Sequence, residues 1–303
     1  MKVVCLSGGV GGAKLARGLQ DVLAPGELTV IGNVGDDVEV LGLHVSPDLD
    51  SVLYALAGLN DEERGWGRAG ETWQALESAA AWGGESWFRL GDRDLGLHLV
   101  RTQALRAGGS LSAVTARLTS AARVATQLVP ATDDPVRTQV VTPAGTFPFQ
   151  EWFVAHAHGD EVDAVQYEGA EIARPAPGAL EALADADAIV VAPSNPYVSI
   201  GPILAVRAIN DAIAARRVPC VAVSPLIGGR AVSGPLDRML SRMAGGTTPA
   251  QVTDCYKGSI DALVIDEADA PAEAPVPLVI TRTWMADRDA ARRLAETVLE
   301  AAR

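Results

Sequence analysis

The chain has 303 residues, of which 48% are hydrophobic and 21% are charged, and its formal net charge at pH 7 is −13. This composition excludes disordered and fibrous proteins, and an acidic chain without a run of basic residues argues against a protein that binds nucleic acid. Three widely spaced cysteines without a C-x-x-C pair support neither a disulfide framework nor a zinc knuckle.

The N-terminal part of the chain alternates short β-branched runs with longer helical patterns. These patterns predict strands over residues 2–6 and 28–31, helices over 12–23 and 48–57, and a turn over 33–37. The first strand begins without the segments of a secretory signal, and no apolar run reaches the roughly 18 residues of a membrane-spanning helix. We therefore expect a soluble, cytoplasmic protein with no membrane partner.

Residues 62–168 differ in character and are predicted to be an insertion on the ligand edge of the sheet. Helical patterns cover residues 92–106 and 111–121, and two extended segments, 136–142 and 146–155, predict a β-hairpin. The insertion is therefore expected to mix helices with a hairpin.

The second half of the chain returns to alternating elements. Strands are predicted over 188–192, 220–224, 262–265 and 278–281, and helices over 203–215, 235–243, 249–256 and 287–302. The predicted fold class is α/β, a Rossmann-like parallel sheet with helices on both faces. Residues 1–61 and 169–303 would form this nucleotide-binding core, and 62–168 an inserted acceptor-binding region.

A glycine-rich loop, Ser-Gly-Gly-Val-Gly-Gly-Ala-Lys over residues 7–14, follows the first strand and opens the first helix. Backbone N–H groups and the helix dipole receive anions at such a position, so Gly9, Gly11, Gly12 and Lys14 are predicted to bind phosphate. The loop matches neither G-x-G-x-x-G nor the P-loop, which argues against an ordinary NAD enzyme or ATPase. The alternative is a tight structural turn with a solvated lysine.

Aspartates follow the second predicted strand and begin the next helix. Asp36 and Asp37 end the segment Asn-Val-Gly-Asp-Asp, and Asp50 lies in Pro-Asp-Leu-Asp. Carboxylates beside a phosphate at one sheet edge predict Mg²⁺, with Asp36, Asp37 and Asp50 as metal ligands and catalytic residues. The alternative is that Asp36 and Asp37 only form a turn; for Asp48 we favour a helix cap over a function.

The segment Trp-Phe-Arg-Leu-Gly-Asp-Arg-Asp joins aromatic residues to Arg89 and Arg93. These arginines could bind a ring system or a phosphate, and the alternative is that they are solvated. Asp92 has the position of a helix N-cap. His156 and His158 would share one face of a strand, but zinc is disfavoured because no third ligand is near in sequence.

A polar loop, Ala-Pro-Ser-Asn-Pro-Tyr-Val-Ser-Ile-Gly-Pro, follows the first predicted strand of the second half. Its donors and acceptors suit a nucleotide, so Ser194, Asn195, Pro196 and Ser199 are predicted nucleotide-binding residues. The alternative is a structural strand-to-helix connector. A similar loop over residues 224–230 would form a second wall of the same crevice.

In this order, five motifs resemble those of the 2-phospho-L-lactate transferase family of coenzyme F420 biosynthesis. They are Gly-Gly-Val-Gly-Gly-Ala-Lys, Asn-Val-Gly-Asp-Asp, Pro-Asp-Leu-Asp-Ser-Val-Leu-Tyr, Leu-Gly-Asp-Arg-Asp-Leu and Ala-Pro-Ser-Asn-Pro-x-x-Ser-Ile-Gly-Pro-Ile-Leu. Each motif alone is weak, but together they extend the resemblance over nearly the whole chain.

The resemblance implies the transfer of a phospho-three-carbon acid, of 2-phospholactyl or phosphoenolpyruvyl type, from a guanosine diphosphate-linked donor to the ribityl hydroxyl of the deazaflavin Fo. GMP would be released, and Mg²⁺ would be the cofactor. The resemblance also implies that Asp50 and Arg89 contact the deazaflavin, with Arg93 the next arginine to consider. The tryptophans between residues 66 and 87 would give the flat ring an apolar surface. We expect small-molecule substrates and a homodimer.

A second class of function stays open at this point. The superfamily contains gluconeogenesis-factor-like proteins that bind a nucleotide sugar for regulation and transfer nothing. The tryptophan-rich insertion with Arg89 favours the enzyme, because a regulator needs no site for Fo.

Overall fold

The computed structural model describes residues 1–303, which form fourteen strands and eleven α-helices. The strands are β1 (Val3–Ser7), β2 (Leu28–Gly32), β3 (Val38–Val40), β4 (Leu43–Val45), β5 (Gln127–Pro130), β6 (Arg137–Thr142), β7 (Gly145–Pro148), β8 (Ala164–Glu168), β9 (Ala188–Val191), β10 (Cys220–Val223), β11 (Leu226–Ile227), β12 (Arg230–Ala231), β13 (Ala262–Asp266) and β14 (Leu278–Thr281). The helices are α1 (Gly9–Val22), α2 (Pro47–Ala57), α3 (Gln74–Ala81), α4 (Asp92–Arg106), α5 (Leu111–Ala121), α6 (Ala179–Ala184), α7 (Gly201–Ala205), α8 (Arg207–Ala214), α9 (Leu236–Ala244), α10 (Pro249–Cys255) and α11 (Arg288–Ala301).

Seven parallel strands form the central sheet in the order β14-β13-β10-β9-β1-β2-β5. Every residue of β1, β9 and β10 is buried, because helices cover both faces of the sheet. The chain runs outward from β1 in one direction and from β9 in the other. The predicted α/β fold is therefore confirmed, and the strand order reverses between β1 and β9, the point at which open sheets of this class bind ligands.

Two hydrophobic cores of 29 buried residues each occupy the two faces of this sheet. One core contains Leu15 of α1, Leu53 of α2 and Leu294 of α11. The other contains Ile209 of α8 and Leu240 of α9. Cores of equal size on both faces hold the sheet rigid, so its carboxyl edge is a fixed platform for a site.

The sheet divides the predicted insertion into two parts. β5 lies within residues 62–168 but pairs with β2 as the edge strand of the main sheet. The helices α3 to α5 precede it, and a separate antiparallel sheet of order β7-β6-β8 follows it. We missed β5 because four residues ending in proline are too few to show a period.

The predicted hairpin forms, but its second strand ends at Pro148 and a π-helical turn, Glu151–Ala155, replaces the rest. The turn allows Trp152 to be fully buried. His156 and His158 follow this turn, so the prediction that they share the face of a strand is wrong. His156 lies 3.8 Å from Asp160, and His158 contacts Arg238 through its Nδ1 at 3.0 Å.

In the insertion, the starts of α3 and α4 are each capped by an acidic side chain that lies near the start of the other helix in sequence. Asp92 accepts hydrogen bonds from the backbone N–H groups of Gln74 and Ala75, at the start of α3. Glu71 accepts from the N–H groups of residues 93 and 94, at the start of α4. Asp92 therefore caps α3 and not its own helix, whose N-cap is Gly91.

The helix predicted over 203–215 is broken into α7 and α8 at Val206. A second π-helical turn, Pro196–Ile200, precedes α7. No single helix has the length and apolar character to cross a membrane; only the bent pair Pro196–Ala205 and Arg207–Ala214, with an angle of 91° between its arms, meets both criteria together.

The packing of α1 on α11 gives a test of the fold. A Cβ at the buried Gly18 of α1 would overlap the backbone carbonyl of Ala291, which cannot move without its helix. We expect Gly18→Ala to lower the free energy of unfolding by about 1–3 kcal/mol. Gly96→Ala is the matched control: no atom lies near its Cβ position in α4, so alanine should stabilise by about 0.5–1 kcal/mol. Chemical denaturation measures both, and equal effects would contradict the packing.

Candidate active site

The glycine-rich loop lies at the carboxyl edge of the sheet, between the ends of β1 and β9. A Cβ at Gly8 would overlap the Asp48 carboxylate, and one at Gly12 would overlap the hydroxyls of Ser7 and Ser194. Gly9 has a φ of +63° and no atom closer than 3.8 Å to its Cβ position. Protein groups therefore pack closely around the loop, and Ser199 and Asp48 lie at van der Waals distance from the Gly9 Cβ position.

Asn33, which follows β2 and is fully buried, brings two aspartates together. Its Nδ2 amide lies 3.0 Å from Asp36 Oδ1, 2.9 Å from Asp48 Oδ2 and 3.1 Å from the carbonyl of Val198. Because the amide has only two hydrogens, these three acceptors share them. The two carboxylates thus meet at one point beside the glycine loop.

Asp36 and Asp48 carry poorly compensated negative charge. Burial raises the pKa of Asp48 to about 6, although Asn33 and the Gly9 backbone N–H favour its charged form. The pKa of Asp36 is raised well above its usual range, mainly by burial and to a smaller extent by the charges of Asp48 and Asp37. Gln150 donates a hydrogen bond to Asp36 Oδ2 at 3.0 Å, which offsets only part of the rise in the pKa of Asp36. A cation at this position would relieve the repulsion.

Asp48 does not cap its own helix, so the favoured capping interpretation is wrong. α2 begins at Pro47, and Ser46 occupies the N-cap position. A proline at the first helical position is typical, and it places Asp48 one residue inside the helix. Its carboxylate points instead to Asn33 and the glycine loop.

Asp37 is buried next to this pair and has other partners. One carboxylate oxygen, Oδ2, lies 3.0 Å from His44 Nε2 and accepts from the Ser46 hydroxyl at 3.0 Å. The other oxygen, Oδ1, is buried and has no hydrogen-bond partner. The predicted turn at residues 33–37 thus holds two carboxylates that face different neighbours.

Asp50 is separated from the other aspartates by its partner. Both of its oxygens accept hydrogen bonds from the guanidinium of Arg101, with Nη1 2.9 Å from Oδ2. His98 Nδ1 lies 3.3 Å from Arg101 Nη1. Burial lowers the pKa of His98 to about 4, so the ring is neutral at pH 7 and its Nδ1 can accept from Arg101.

The predicted metal ligands Asp36, Asp37 and Asp50 do not converge. No three His, Cys, Asp or Glu side chains in the structure are arranged to hold a metal ion. Mg²⁺ commonly takes one or two carboxylates and completes its shell with phosphate oxygens and water, which fits Asp36 and Asp48. Asp50 does not fit, because a guanidinium occupies both of its oxygens. The metal ligands stay a prediction, and the structure shows that the three carboxylates have different partners.

The loop after β9 forms the second side of the crevice. Ser194 donates to the carbonyl of Gly8 at 2.6 Å, and Asn195 Oδ1 accepts from the backbone N–H of Tyr197 at 2.9 Å. Pro196 begins the π-helical turn, and Ser199 is buried against Gly8. Ser194 and Asn195 thus shape the crevice through contacts with the backbone.

The basic residues of α1 contact protein groups. Lys14 Nζ donates to the carbonyl of Met285 at 3.1 Å and lies 5.9 Å from the ring of Trp284. Arg17 donates to the carbonyls of Ala55 and Leu56 at the end of α2. Lys14 and Arg17 therefore donate to backbone carbonyls and not to the glycine-rich loop.

Arg89 and Arg93 lie in the helical part of the insertion and are exposed. The Arg89 guanidinium stacks 4.6 Å from the ring of Trp73, and Arg64 lies 5.0 Å from the same ring. Arg93 donates to the carbonyl of Ala69 at 3.1 Å. Arg89 therefore has its donors free, whereas Arg93 is partly engaged.

Sequence reasoning missed three polar groups around the aspartates. Gln150 contacts Asp36, His44 contacts Asp37, and Arg101 contacts Asp50. Gln150 and Arg101 are 114 and 51 residues from their partners, and no local pattern signals such pairs. For Asp48 a signal existed, since the preceding Ser-Pro assigns the cap to Ser46.

Comparison with known proteins gives consistent matches. The family model described as "2-phospho-L-lactate transferase CofD" matches residues 3–301. A phosphoenolpyruvate transferase of Streptomyces griseus is 44% identical over an alignment of 313 positions, which covers 100% of this chain and 98% of the relative. A phosphoenolpyruvate transferase of Mycolicibacterium smegmatis is 38% identical over 100% of this chain and 99% of its own.

A solved structure of a UPF0052 family member from Bacillus halodurans has the same fold. Its TM-score is 0.63 at 18% sequence identity, over 98% of each chain. At this identity the similarity concerns the fold alone.

The raised pKa of Asp48 predicts a pH-dependent stability. Between its usual pKa of 3.8 and about 6, the folded protein keeps a proton that the unfolded chain has lost, so this group makes stability fall as pH rises through that window. Asp48→Asn has no carboxyl group to titrate at this position. Between pH 4 and pH 7 its free energy of unfolding should therefore rise by up to about 3 kcal/mol relative to that of the wild type. Thermal melts without divalent cation measure the difference.

The control is Asp254→Asn, which changes an exposed carboxylate on α10. Its stability relative to wild type should be independent of pH over the same window. If the stability difference between Asp48→Asn and the wild type were also independent of pH, the raised pKa of Asp48 would be contradicted.

Proposed function

The chain belongs to the 2-phospho-L-lactate transferase CofD family, and from this premise we propose the reaction that its site performs. The protein is a transferase of coenzyme F420 biosynthesis. It transfers a phosphoenolpyruvyl or 2-phospholactyl group from a guanosine diphosphate-linked donor to the ribityl hydroxyl of the deazaflavin Fo. The names of the relatives favour phosphoenolpyruvate as the three-carbon acid.

In this reaction the acceptor hydroxyl oxygen attacks the phosphorus that carries the three-carbon acid. A new P–O bond to the acceptor forms, the P–O bond of the diphosphate breaks, and GMP leaves with the bridging oxygen. The hydroxyl proton passes to solvent or to a nearby carboxylate. Such transfers depend on positioning and on stabilising the charge that develops on the phosphate oxygens.

One observation carries this proposal: two buried carboxylates, Asp36 and Asp48, meet at Asn33 directly beside the start of α1. A helix start attracts an anion, and paired carboxylates with raised pKa values attract a cation. A magnesium-bound diphosphate carries both charges. The crevice between β1 and β9 is also where open α/β sheets bind nucleotides.

Asp36 and Asp48 would hold the Mg²⁺; Asp37 Oδ1, which is buried and has no hydrogen-bond partner, is a further carboxylate oxygen of the same turn. The ion would neutralise diphosphate charge that otherwise repels the acceptor oxygen. Asn33 and Gln150 keep the two carboxylates in place, and the backbone of Gly9, Gly11 and Gly12 supplies the phosphate-binding edge. Ser194 and Ser199 line the opposite side.

The acceptor site lies toward the helical insertion, with Asp50 and Arg89 as its contacts. Arg89 is exposed and stacked on Trp73, so its N–H groups are available to a ring carbonyl or a hydroxyl. Both oxygens of Asp50 accept hydrogen bonds from Arg101, and their remaining lone pairs can accept others. Together they suit a polar, planar acceptor with a hydroxylated chain.

Incubation with Fo, guanylylated phosphoenolpyruvate and Mg²⁺ tests the function. We expect a product heavier than Fo by the phosphoenolpyruvyl group, in equal amount to GMP, and no product in EDTA. Fluorescence titration with Fo should show binding. An unchanged Fo emission together with tight nucleotide-sugar binding would identify a non-catalytic regulator instead.

The role of Asp48 separates this proposal from the ligand set that the sequence predicted. Asp48→Asn should lose Mg²⁺ binding by calorimetry in the presence of GDP and lower kcat/KM at least about a hundredfold, or roughly 2.7 kcal/mol. Asp50→Asn should keep Mg²⁺ binding, because its carboxylate is paired with Arg101. The reverse pattern would return the metal to Asp50.

Arg89→Ala tests the acceptor site. We expect Fo binding to weaken by about 1.5–3 kcal/mol through loss of a charge-assisted hydrogen bond, with GDP affinity and melting temperature unchanged. The control is Arg117→Ala, at an exposed arginine of α5, which should change the affinity for neither Fo nor GDP. Equal losses for Fo and GDP would indicate a collapsed crevice.

A further inference from the structure

Asp50 and Arg101 form a buried ion pair between α2 and the inserted helix α4. The side chains are 7% and 2% exposed, and two N–H groups of the guanidinium face the two carboxylate oxygens. Arg101 is the only lysine or arginine among the buried residues of the chain. The guanidinium approaches Asp50 in the fixed two-point geometry that arginine, unlike lysine, provides.

This pair determines what Asp50 can do. With a guanidinium against both oxygens, the carboxylate is held in one orientation, and the guanidinium charge disfavours a second cation beside it. Each oxygen still has a lone pair that can accept a hydrogen bond. Asp50 is therefore suited to orient a hydroxyl donor.

The surroundings of the pair reinforce this geometry. Arg101 Nη1 contacts His98 Nδ1 at 3.3 Å, one turn earlier on α4. Tyr54, one turn after Asp50 on α2, donates its hydroxyl to Asp94 of α4. Arg101 Nε is buried without a partner, so the guanidinium is held by the two contacts at its far end. Polar contacts thus fix α4 against α2 at two successive turns.

We propose that Arg101 is a positioning residue of the acceptor site, holding the Asp50 carboxylate in the orientation that receives the acceptor hydroxyl. This inference rests on the proposed function. In this proposal the helical insertion contributes to the acceptor site through Arg101, which itself does not contact the substrate. A stabilising role alone would not require this pair, because apolar residues often replace a buried ion pair without loss of stability.

Arg101→Lys tests the proposal because it keeps the charge and removes the two-point geometry. We expect kcat/KM for Fo to fall at least about tenfold while KM for the guanylylated donor stays within about twofold. The matched control is Arg216→Lys. Arg216 is 10% exposed, pairs with Asp261 at 2.8 Å and also has a buried Nε without a partner, but lies at the opposite edge of the sheet.

The Arg216→Lys variant should leave the kinetic constants for both substrates unchanged. If Arg101→Lys does not fold, the double variant Asp50→Asn/Arg101→Gln replaces the ions with neutral amides; it should bind GDP and Mg²⁺ normally and lose Fo binding in a fluorescence titration. The positioning role would be overturned if Arg101→Lys had a wild-type kcat/KM for Fo, or if the double variant bound Fo as the wild type does. Equal losses of kinetic efficiency for the donor and for Fo would overturn it as well. A wild-type protein that neither binds nor modifies Fo would overturn the proposed function as well.

Discussion

The burial of two carboxylates beside each other is the constraint on which the site depends. Asp36 and Asp48 are 5% and 6% exposed, and charges in such positions destabilise a fold unless they are paired or bind a cation. Asn33 supplies one shared amide, Gln150 a second, and glycine at position 8 leaves the space that the Asp48 carboxylate fills. The fold by itself therefore compensates the ionisation of these two carboxyl groups only in part.

The neighbours of each aspartate come from a different part of the chain. The β3–β4 hairpin supplies His44 to Asp37, the small antiparallel sheet leads to Gln150 at Asp36, and α4 supplies Arg101 to Asp50. Carboxylates that are neighbours in sequence thus acquire distinct electrostatic environments. Asp50 is paired with a cation of the protein, whereas Asp36 and Asp48 are not, and this difference distinguishes their electrostatic environments.

The fold by itself does not distinguish an enzyme from a binding protein. The UPF0052 member of Bacillus halodurans shares the architecture at 18% identity, which leaves the function of either chain undetermined. Family membership over residues 3–301 and relatives named phosphoenolpyruvate transferase narrow the choice to a transferase. The site geometry adds what these names do not contain, namely which carboxylates are available to a cation and which is already paired.

The sequence by itself determined the α/β class, the strands of the central sheet except β5, and the position of the glycine loop. It could do so because a buried parallel strand and an amphipathic helix are encoded by residues within about a dozen positions of one another. It also indicated the family through five motifs in order. The short edge strand β5, the π-helical turn after Phe149 and the exchanged caps of Glu71 and Asp92 had no comparable local signal.

Only the tertiary structure decided which groups the aspartates contact. Asp48 and Asp50 are two residues apart on one helix and have similar sequence surroundings, but α2 directs the first toward Asn33 and the second toward Arg101. These choices depend on contacts with residues 15 and 51 positions away in the chain, which form only when the sheet and the inserted helices pack together. The charge state of a buried carboxylate is a property of all its neighbours in space, and a linear sequence does not reveal them.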